Sequence, residues 1–509
     1  MTNLILRSPN SIQNKMMAMM NKRMKPKGKI DIFSIVSDPK IANVIITIAS
    51  DIQHAGGQAF FVGGCVRDFL FKRPIKDVDI AVEGLGLDDL NAILCRFGDT
   101  KTTGTDFLVI KIKIEGQEFD FSATRDEAST GDGFKDVIAR PASLFSDLRR
   151  RDITINAIAV NVLSGDLIDP FNGTRDAHGN IIRHTSDKFI ESSERPLRIA
   201  QFLARMPFLD VAADTTDICA SMADKFATIP KEQLKAQFEK MLERGIKPSR
   251  GFRFLQEIGF IDKLHGFADL IGLEQDAIHH PEGDALTHTL MATDAMARIC
   301  QREGIDGFRR FKLVLAALTH DMGKPQVTII DDDGRITSRG HAFENDAALA
   351  FLDQICIHQG MQRAIIALVN HHMSIMQNHI TIRVVRRIAR KLNEAVGSSI
   401  DIRKAATPQD LCFLFEADKS ARREDGQVVL IGQTGKIGDF RDTASELDIL
   451  DNNRKPPAMI NGKDLIALGL TPGPLFGKIL SAVKDAEDSG EIGTKQAALD
   501  LAQKMIDNQ

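Results

Sequence analysis

The stretch Val62–Glu83 carries Gly63-Gly64, then Arg67-Asp68, then Asp77 and Asp79 with one residue between them. Residues i and i+2 of a strand point to one face, and two carboxylates side by side repel each other unless cations lie between them. A glycine pair leaves the backbone open enough to approach a phosphate. Together these residues describe a site where two divalent cations hold the two oxygens of a nucleotidyl transfer. Hard oxygen ligands and a triphosphate substrate favour Mg2+. Asp120, within Glu118-Phe-Asp-Phe-Ser122 of a later alternating run, is the candidate third carboxylate.

A second motif follows at Asp147-Leu-Arg-Arg-Arg-Asp-Ile-Thr-Ile-Asn156. With both motifs in place the chain resembles the class II tRNA nucleotidyltransferases, the CCA-adding enzymes of the polymerase β-like/poly(A) polymerase superfamily. Ile153 stands where the family has phenylalanine. The resemblance implies that Gly64, Arg67, Arg150, Arg151, Asp152 and Asn156 meet the incoming nucleotide. Guanidinium forks suit phosphate, and a carboxylate or amide can read a 2′-hydroxyl. Arg125 and Glu127 match an Arg-x-Glu that opens a loop helping to position the nucleotide, here expected as a flexible loop over 128–141. Asp169-Pro-Phe-Asn-Gly173 matches a turn that closes the head.

One departure bears on base choice. The family reads the base with Glu-Asp-x-x-Arg on a helix. The matching residues here are Glu191-Ser192-Ser193-Glu194-Arg195-Pro196-Leu197-Arg198, with Arg195 and Arg198 as the two arginines and Ser192 in place of the base-reading aspartate. Serine is shorter and uncharged. A lost charge-assisted hydrogen bond is worth roughly 1.5–3 kcal/mol, or one to two decades of discrimination. Pro196 also bears on where this helix starts.

The chain has 13 histidines, unevenly spread. His279-His280-Pro-Glu-Gly-Asp-Ala-Leu-Thr-His288 precedes an apolar helix, His320-Asp321 ends another, and His341, His371-His372 and Asp418 follow. This order resembles the HD metal-dependent phosphohydrolases. The resemblance implies a second divalent metal (Ni2+, Mn2+, Co2+ or Mg2+) on His288, His320, Asp321 and Asp418, with His341 and His371 or His372 as auxiliary ligands. Imidazoles and carboxylates suit such ions with open positions for water. It further implies hydrolysis of 2′,3′-cyclic phosphate or 2′-phosphate at RNA ends.

The implied activity is addition of CCA, or part of it, to tRNA 3′ ends from CTP and ATP, with repair of those ends by the HD domain. The alternatives are a poly(A) polymerase-like tailing enzyme and an HD hydrolase of nucleotides or RNA ends with a binding-only head. Partners are tRNA and the two nucleotides, in a monomer or homodimer.

These residues need elements to position them. Helical spacing over 31–56 stops at Gly56-Gly57. Strand-like runs follow at 58–62, 77–82, 107–114 and 117–123, with Glu115-Gly116 as a hairpin turn. From about 186 the pattern is helical. The fold class is α+β, mainly α: a basic arm (1–40), a nucleotidyltransferase head (41–185), a helical neck with the base-recognition helix (186–270), an HD domain (271–430) and a tRNA-contacting tail (431–509) beginning near Arg454-Lys455-Pro456-Pro457.

At 509 residues the chain is too long for a single core. Its 43% apolar and 26% charged residues are those of a globular protein. None of the six cysteines forms a C-x-x-C pair, which argues against structural zinc and a disulfide framework. The absence of an 18-residue apolar span argues against a membrane helix and leaves a cytoplasmic setting as the expectation. A net charge of −4 does not announce a nucleic-acid binder, but local patches matter more. Arg383, Arg386, Arg387, Arg390 and Lys391 share one helix face, and such faces are ordinarily just solvated. With no Trp and no Tyr but 29 Phe, any base stacking falls to Phe, His or Arg.

Overall fold

The computed structural model describes residues 23–103, 109–128, 138–377, 379–396, 405–423, 425–451, 458–489 and 491–507. Most of the basic arm, the tip of the 128–141 segment and Arg454–Pro457 lie outside the described residues. The chain divides into two compact units. The first runs to Arg195 and takes in Phe208–Met222; the second holds Pro196–Pro207 and the chain from Ala223 onward.

The first unit is built on a seven-stranded sheet. Its strands are β1 (Gln58–Val62), β2 (Val78–Glu83), β3 (Thr100–Thr103), β4 (Val109–Ile114), β5 (Gln117–Ala123), β8 (Ala159–Asn161) and β9 (Leu167–Ile168), in the order β3-β4-β5-β2-β1-β8-β9. β6 (Arg125–Ala128) and β7 (Ile138–Pro141) pair separately. Only β2 and β5 are parallel neighbours within the large sheet. Period-2 alternation sets the faces. Val78, Ile80, Val82, Phe119 and Phe121 join the larger core with Ile41, Ile45, Ile48 and Ile52 of the helix Pro39–His54. Phe60, Val62, Ala81, Leu144 and Leu148 form a smaller cluster. Asp79 and Asp120 alternate away from the larger core.

Local signals explain these elements. Asp38 caps the helix Pro39–His54 by accepting from the amides of Lys40 and Ile41, and Pro39 takes its first position. Glu115 and Gly116 have φ of 48° and 89°, as a tight two-residue hairpin turn requires.

Two expectations are corrected here. The flanks of the 128–141 segment are strands, because Arg125–Ala128 pairs with Ile138–Pro141; the segment 129–137 between them is not described. Neither flank has apolar alternation, so pattern alone carried no signal. The chain after about 186 is also not purely helical. Ile181–Ile182 pairs with Asp210–Val211, and Ile329–Ile330 pairs with Ile336–Thr337. Two-residue strands are too short for periodicity to reveal.

In the second unit the helix Ala285–Arg302 packs on Gly307–Thr319 and Pro408–Ser420, and Gln359–His371 packs on Gly307–Thr319. A buried ion network fastens two of these helices. Lys312 Nζ lies 2.7 Å from Asp410 Oδ2, both side chains being fully buried, and Arg309 reaches Asp410 Oδ1 at 2.8 Å. Asp410 also closes a capping box with Thr407. Phenylalanines fill much of the neighbouring core: the Phe252 and Phe267 rings stack at 5.4 Å, and Phe351 meets Phe267 edge-on at 5.1 Å. A small separate core, with Leu465, Ile479, Val483 and Ala498, holds the last three helices together. Among the described residues no helix is long and apolar enough to cross a membrane.

Candidate functional sites in the head and the helical body

In the head, β2 and β5 run parallel with Asp79 directly beside Asp120. Side chains at one register position of neighbouring strands share a face, so the two carboxylates meet there. Asp77 precedes β2 by one residue and is exposed. Lys111 of β4 pairs with Asp120 from the other side, Nζ to Oδ2 at 3.0 Å. Gly63 closes the opposite edge. A Cβ there would lie 3.0 Å from Arg151 Nη1 and 3.3 Å from Asp79 Oδ2, and its φ of +70° independently favours glycine. Gly64 opens the short helix Gly64–Leu70 beside it.

The Asp79 carboxyl titrates above its ordinary range. Burial is the main cause; Asp120 and Asp77 add to it, while Arg151 and Lys111 oppose it. An excess of clustered carboxylate charge is what a pair of divalent cations would relieve, so this donor set fits Mg2+.

The second motif is held by its own first residue. Asp147 Oδ1 accepts from Arg150 Nη2 at 2.7 Å, and Oδ2 accepts from Arg151 Nη2 at 3.0 Å. Burial alone would raise the Asp147 pKa, but the guanidiniums of Arg151 and Arg150 outweigh it and hold the carboxyl below the usual range. Asp152 is buried and accepts from Asn156 Nδ2 at 3.0 Å; Asn156 Oδ1 in turn accepts from Arg67 Nη1 at 3.1 Å. Asp152 thus orients Asn156. Arg125 begins β6, opposite Pro141. Glu127 lies in β6, and its side chain is outside the described set.

The expected base-recognition helix starts later than its motif. Ser192 is extended (φ −120°, ψ 110°), and the helix runs from Arg195 to Arg205 with Pro196 in its first turn. Proline suits a first turn and not an interior. Ser192 therefore precedes the helix. Arg195 is buried, and its terminal nitrogens donate to the Lys188 carbonyl at 2.5 Å and the Arg150 carbonyl at 2.6 Å. Arg198 lies one turn further along the same helix.

In the helical body, His288 sits in the first turn of Ala285–Arg302, which Asp284 caps. His320 ends Gly307–Thr319, and His372 ends Gln359–His371. His341 opens a short 3-10 turn, and Asp418 lies near the end of Pro408–Ser420. These side chains converge on Asp321. Its Oδ2 lies 3.2 Å from His320 Nε2 and 3.6 Å from His288 Nε2; its Oδ1 lies 3.2 Å from His341 Nε2 and 4.0 Å from His372 Nε2. Asp418 Oδ1 is 3.0 Å from His288 Nε2. Two donor sets, His288-His320-Asp321 and Asp321-His341-His372, therefore share one carboxylate.

The far side of each ring sets its tautomer. Nδ1 of His320, His341 and His372 faces the carbonyls of Ala317, Ser338 and Val369 at 2.8, 2.7 and 2.7 Å. Nδ1 of His288 faces Glu282 Oε1 at 2.5 Å. With the proton on Nδ1, the Nε2 lone pairs point inward, as metal-ligating histidines require. Nε2 of His288 and of His320 is buried without a hydrogen-bond partner. Such orphaned acceptors fit a divalent cation.

Burial lowers the His372 pKa to about 3, with His320 and His341 adding to it. Burial also acts to lower that of His320, but Asp321 and Asp418 outweigh it and raise it. His371 is not part of the cluster: it joins neither donor set, and its Nδ1 faces Ser374 Oγ at 3.4 Å. Two consecutive residues at a helix end point roughly 100° apart, so only one can face the centre.

Several supporting residues went unassigned in the sequence. Asp147 had a readable signal, since Arg150 and Arg151 follow at i+3 and i+4. Arg422, bound to both Asp418 oxygens at 2.9 and 3.0 Å, follows at i+4. Lys111 and Glu282 gave no signal, because cross-strand register and loop folding choose their partners.

The head thus carries a candidate nucleotidyl-transfer site, and the helical body a candidate HD-type metal site. The comparisons agree: the Poly A polymerase head domain matches residues 59–183, and the HD domain matches 285–422. The chain is 29% identical over 439 residues to the Multifunctional CCA protein of Xanthomonas euvesicatoria, covering 84% of this chain and 97% of that one. It is 35% identical over 275 residues to the Multifunctional CCA protein of Burkholderia pseudomallei, covering 52% and 63%. Its fold is similar to that of the Thermotoga maritima CCA-adding enzyme complexed with tRNA, at TM-score 0.58 and 18% identity over 93% of this chain and 98% of that one. It is also similar to a CCA-adding enzyme in complex with CTP, at TM-score 0.61 and 20% identity over 92% and 96%. The resemblance to the class II tRNA nucleotidyltransferases, with an HD domain in the body, is borne out, and with it that the protein is an enzyme.

Proposed function

We propose that the protein adds CCA, in whole or in part, to tRNA 3′ ends from CTP and ATP in the cytoplasm, and that its HD centre removes 2′,3′-cyclic phosphate or 2′-phosphate from those ends. The observation that carries the first half is the side-by-side register of Asp79 and Asp120, with Asp77 at the strand entrance and Arg151 against Asp79. Asp77, Asp79 and Asp120 would hold two Mg2+ ions, which when bound neutralise charge on the attacking and leaving oxygens. The protein's own groups do the positioning. Asp147 fixes the forks of Arg150 and Arg151, which suit a triphosphate. Asp152 fixes Asn156, and Asn156 with Arg67 forms a polar pair suited to the nucleotide. Arg195 supports the Arg150 backbone through its carbonyl contact rather than presenting its fork to a base. The relatives' names, and the tRNA and CTP held by the similar structures, support the same reading.

In the HD centre, His288, His320, Asp321, His341, His372 and Asp418 would hold the divalent metal, which when bound activates water and polarises a phosphoryl group. Arg422 holds Asp418, Lys324 holds Asp321, and Glu282 holds His288.

The test is incorporation of single labelled nucleotides into tRNA lacking its terminal CCA, with Mg2+. CTP then ATP should be added, and Asp79→Ala should abolish addition while leaving phosphate release intact. UTP or GTP incorporated as fast as CTP would overturn CCA addition, and long tails from ATP alone would favour the poly(A) polymerase alternative.

A further inference from the structure

The HD centre opens into a cleft of about 300 Å³, whose lining includes Asp321, His341, His372 and Asp418. The same cleft is lined by Arg339 and Phe343, each two residues from His341. Phe343 is 63% exposed. The backbone that carries Phe343 is firmly held. Its amide donates to the Gly340 carbonyl at 2.9 Å, and its carbonyl accepts from Asn345 Nδ2 at 3.1 Å. Asn345 Nδ2 also donates to Asn370 Oδ1 at 2.7 Å. Beneath the turn lies Gly323: a Cβ there would come within 2.1 Å of the His341 carbonyl oxygen and 2.6 Å of that of Glu344. The turn and the motif that supplies Asp321 are therefore packed backbone to backbone, and Phe343 rides on a fixed support.

Arg339 is exposed, and among the described residues no hydrogen bond or ion pair engages its guanidinium. Two further cations of the cleft are committed elsewhere: Lys324 Nζ lies 2.7 Å from Asp321 Oδ2, and Arg422 binds both oxygens of Asp418. Arg339 thus has its donors available to an anion.

We infer that the cleft mouth is a nucleoside subsite: Phe343 stacks on the base of a ribonucleotide end while Arg339 takes a phosphate. This rests on the hydrolase reading above and deepens it, naming the side chains that take the base and the phosphate of the ribonucleotide end. A metal centre with bound cations recognises phosphate with or without a base attached. An exposed aromatic on a fixed backbone beside it adds recognition only where the ligand carries a planar base. In a chain without Trp or Tyr, Phe is the aromatic carbocycle available for stacking.

The experiment compares two substrates of the Mn2+-loaded full-length protein: 2′,3′-cyclic AMP, and the 1-O-methyl riboside 2′,3′-cyclic phosphate, which lacks a base. Phe343→Ala should raise KM for cyclic AMP about tenfold at unchanged kcat and leave the base-free substrate unaffected. Phe343→Tyr should restore wild-type KM. Arg339→Ala should raise KM for both substrates. An equal effect of Phe343→Ala on both substrates, or none on either, overturns the subsite. If the wild-type protein hydrolyses neither, the hydrolase reading fails separately. Calorimetric binding of 3′-AMP to the Mn2+-loaded protein then decides the subsite: weaker binding by Phe343→Ala supports it, and equal binding overturns it.

Discussion

The Nε2 atoms of His341 and His372 face each other at 3.2 Å, while the Nδ1 of each ring is turned to a backbone carbonyl. Two lone pairs at that separation repel, and a cation between them removes the repulsion.

Divalent metal should therefore stabilise the helical body. Ligand binding to the folded state adds RT ln(1 + [L]/Kd), about 3–4 kcal/mol at several hundred times Kd. Thermal unfolding in EDTA and in 1 mM Mn2+ measures this. The shift should shrink in His372→Ala and persist in His371→Ala. Equal behaviour of the two variants would contradict the different roles of these adjacent histidines.

Asp147 should act through the arginines it holds. Asp147→Asn keeps the volume but gives up the charge-assisted bonds to Arg150 and Arg151. Nucleotide incorporation should fall about 10–100-fold in kcat/KM, at a cost of order 1.5–3 kcal/mol. The same pair has a pH signature. The folded Asp147 pKa lies below its unfolded value, so its contribution is full above the unfolded value and is lost as pH falls through the folded one. In urea titrations, the stability gap between wild type and Asp147→Asn should narrow on acidification below about pH 4. A gap that widens there would be inconsistent with this geometry.

Asp294 has the opposite sign. Burial pushes its pKa up to about 6, although Ser249 donates to it from its amide at 2.9 Å and its hydroxyl at 2.6 Å. The folded state therefore favours the protonated acid. That contribution is full below the unfolded pKa near 4 and is lost as pH rises through about 6. Asp294→Asn is neutral throughout, so its Tm relative to wild type should rise between pH 4 and pH 7. A Tm difference that does not change with pH would rule this out.

Lys312 should be a structural anchor for the HD helices. Its ammonium and the Asp410 carboxylate are both fully buried. Removing Lys312 leaves the buried Asp410 carboxylate with Arg309 as its remaining cation, a loss toward the lower end of the about 3–5 kcal/mol for breaking a buried pair. Lys312→Ala should lower stability by that amount in chemical denaturation, while the Lys312→Met/Asp410→Leu double change recovers part of it. If both variants are equally unstable, packing and not charge is responsible.

Spacing along the chain determined a good deal. Asp77 and Asp79 two apart, Asp147 three and four residues before Arg150 and Arg151, and the order His288, His320-Asp321, His341, Asp418 are local or motif facts, and the structure assembles them. The Glu115-Gly116 hairpin turn and the helix stop at Gly56-Gly57 were legible for the same reason, since glycine acts on the residues beside it. What lay beyond the sequence was set by contacts between distant residues. Asp120 meets Asp79 because β2 and β5 pair in one parallel register, which depends on burying Phe119 and Phe121 with Val78 and Ile80. His372 is chosen over His371 by the rotation of its helix on the one that ends in His320. Ser192 falls outside its expected helix, and Arg195 is drawn onto the Lys188 and Arg150 carbonyls, because buried carbonyls need donors. Local spacing determines which side chains share a face, but only the packed core decides what that face meets.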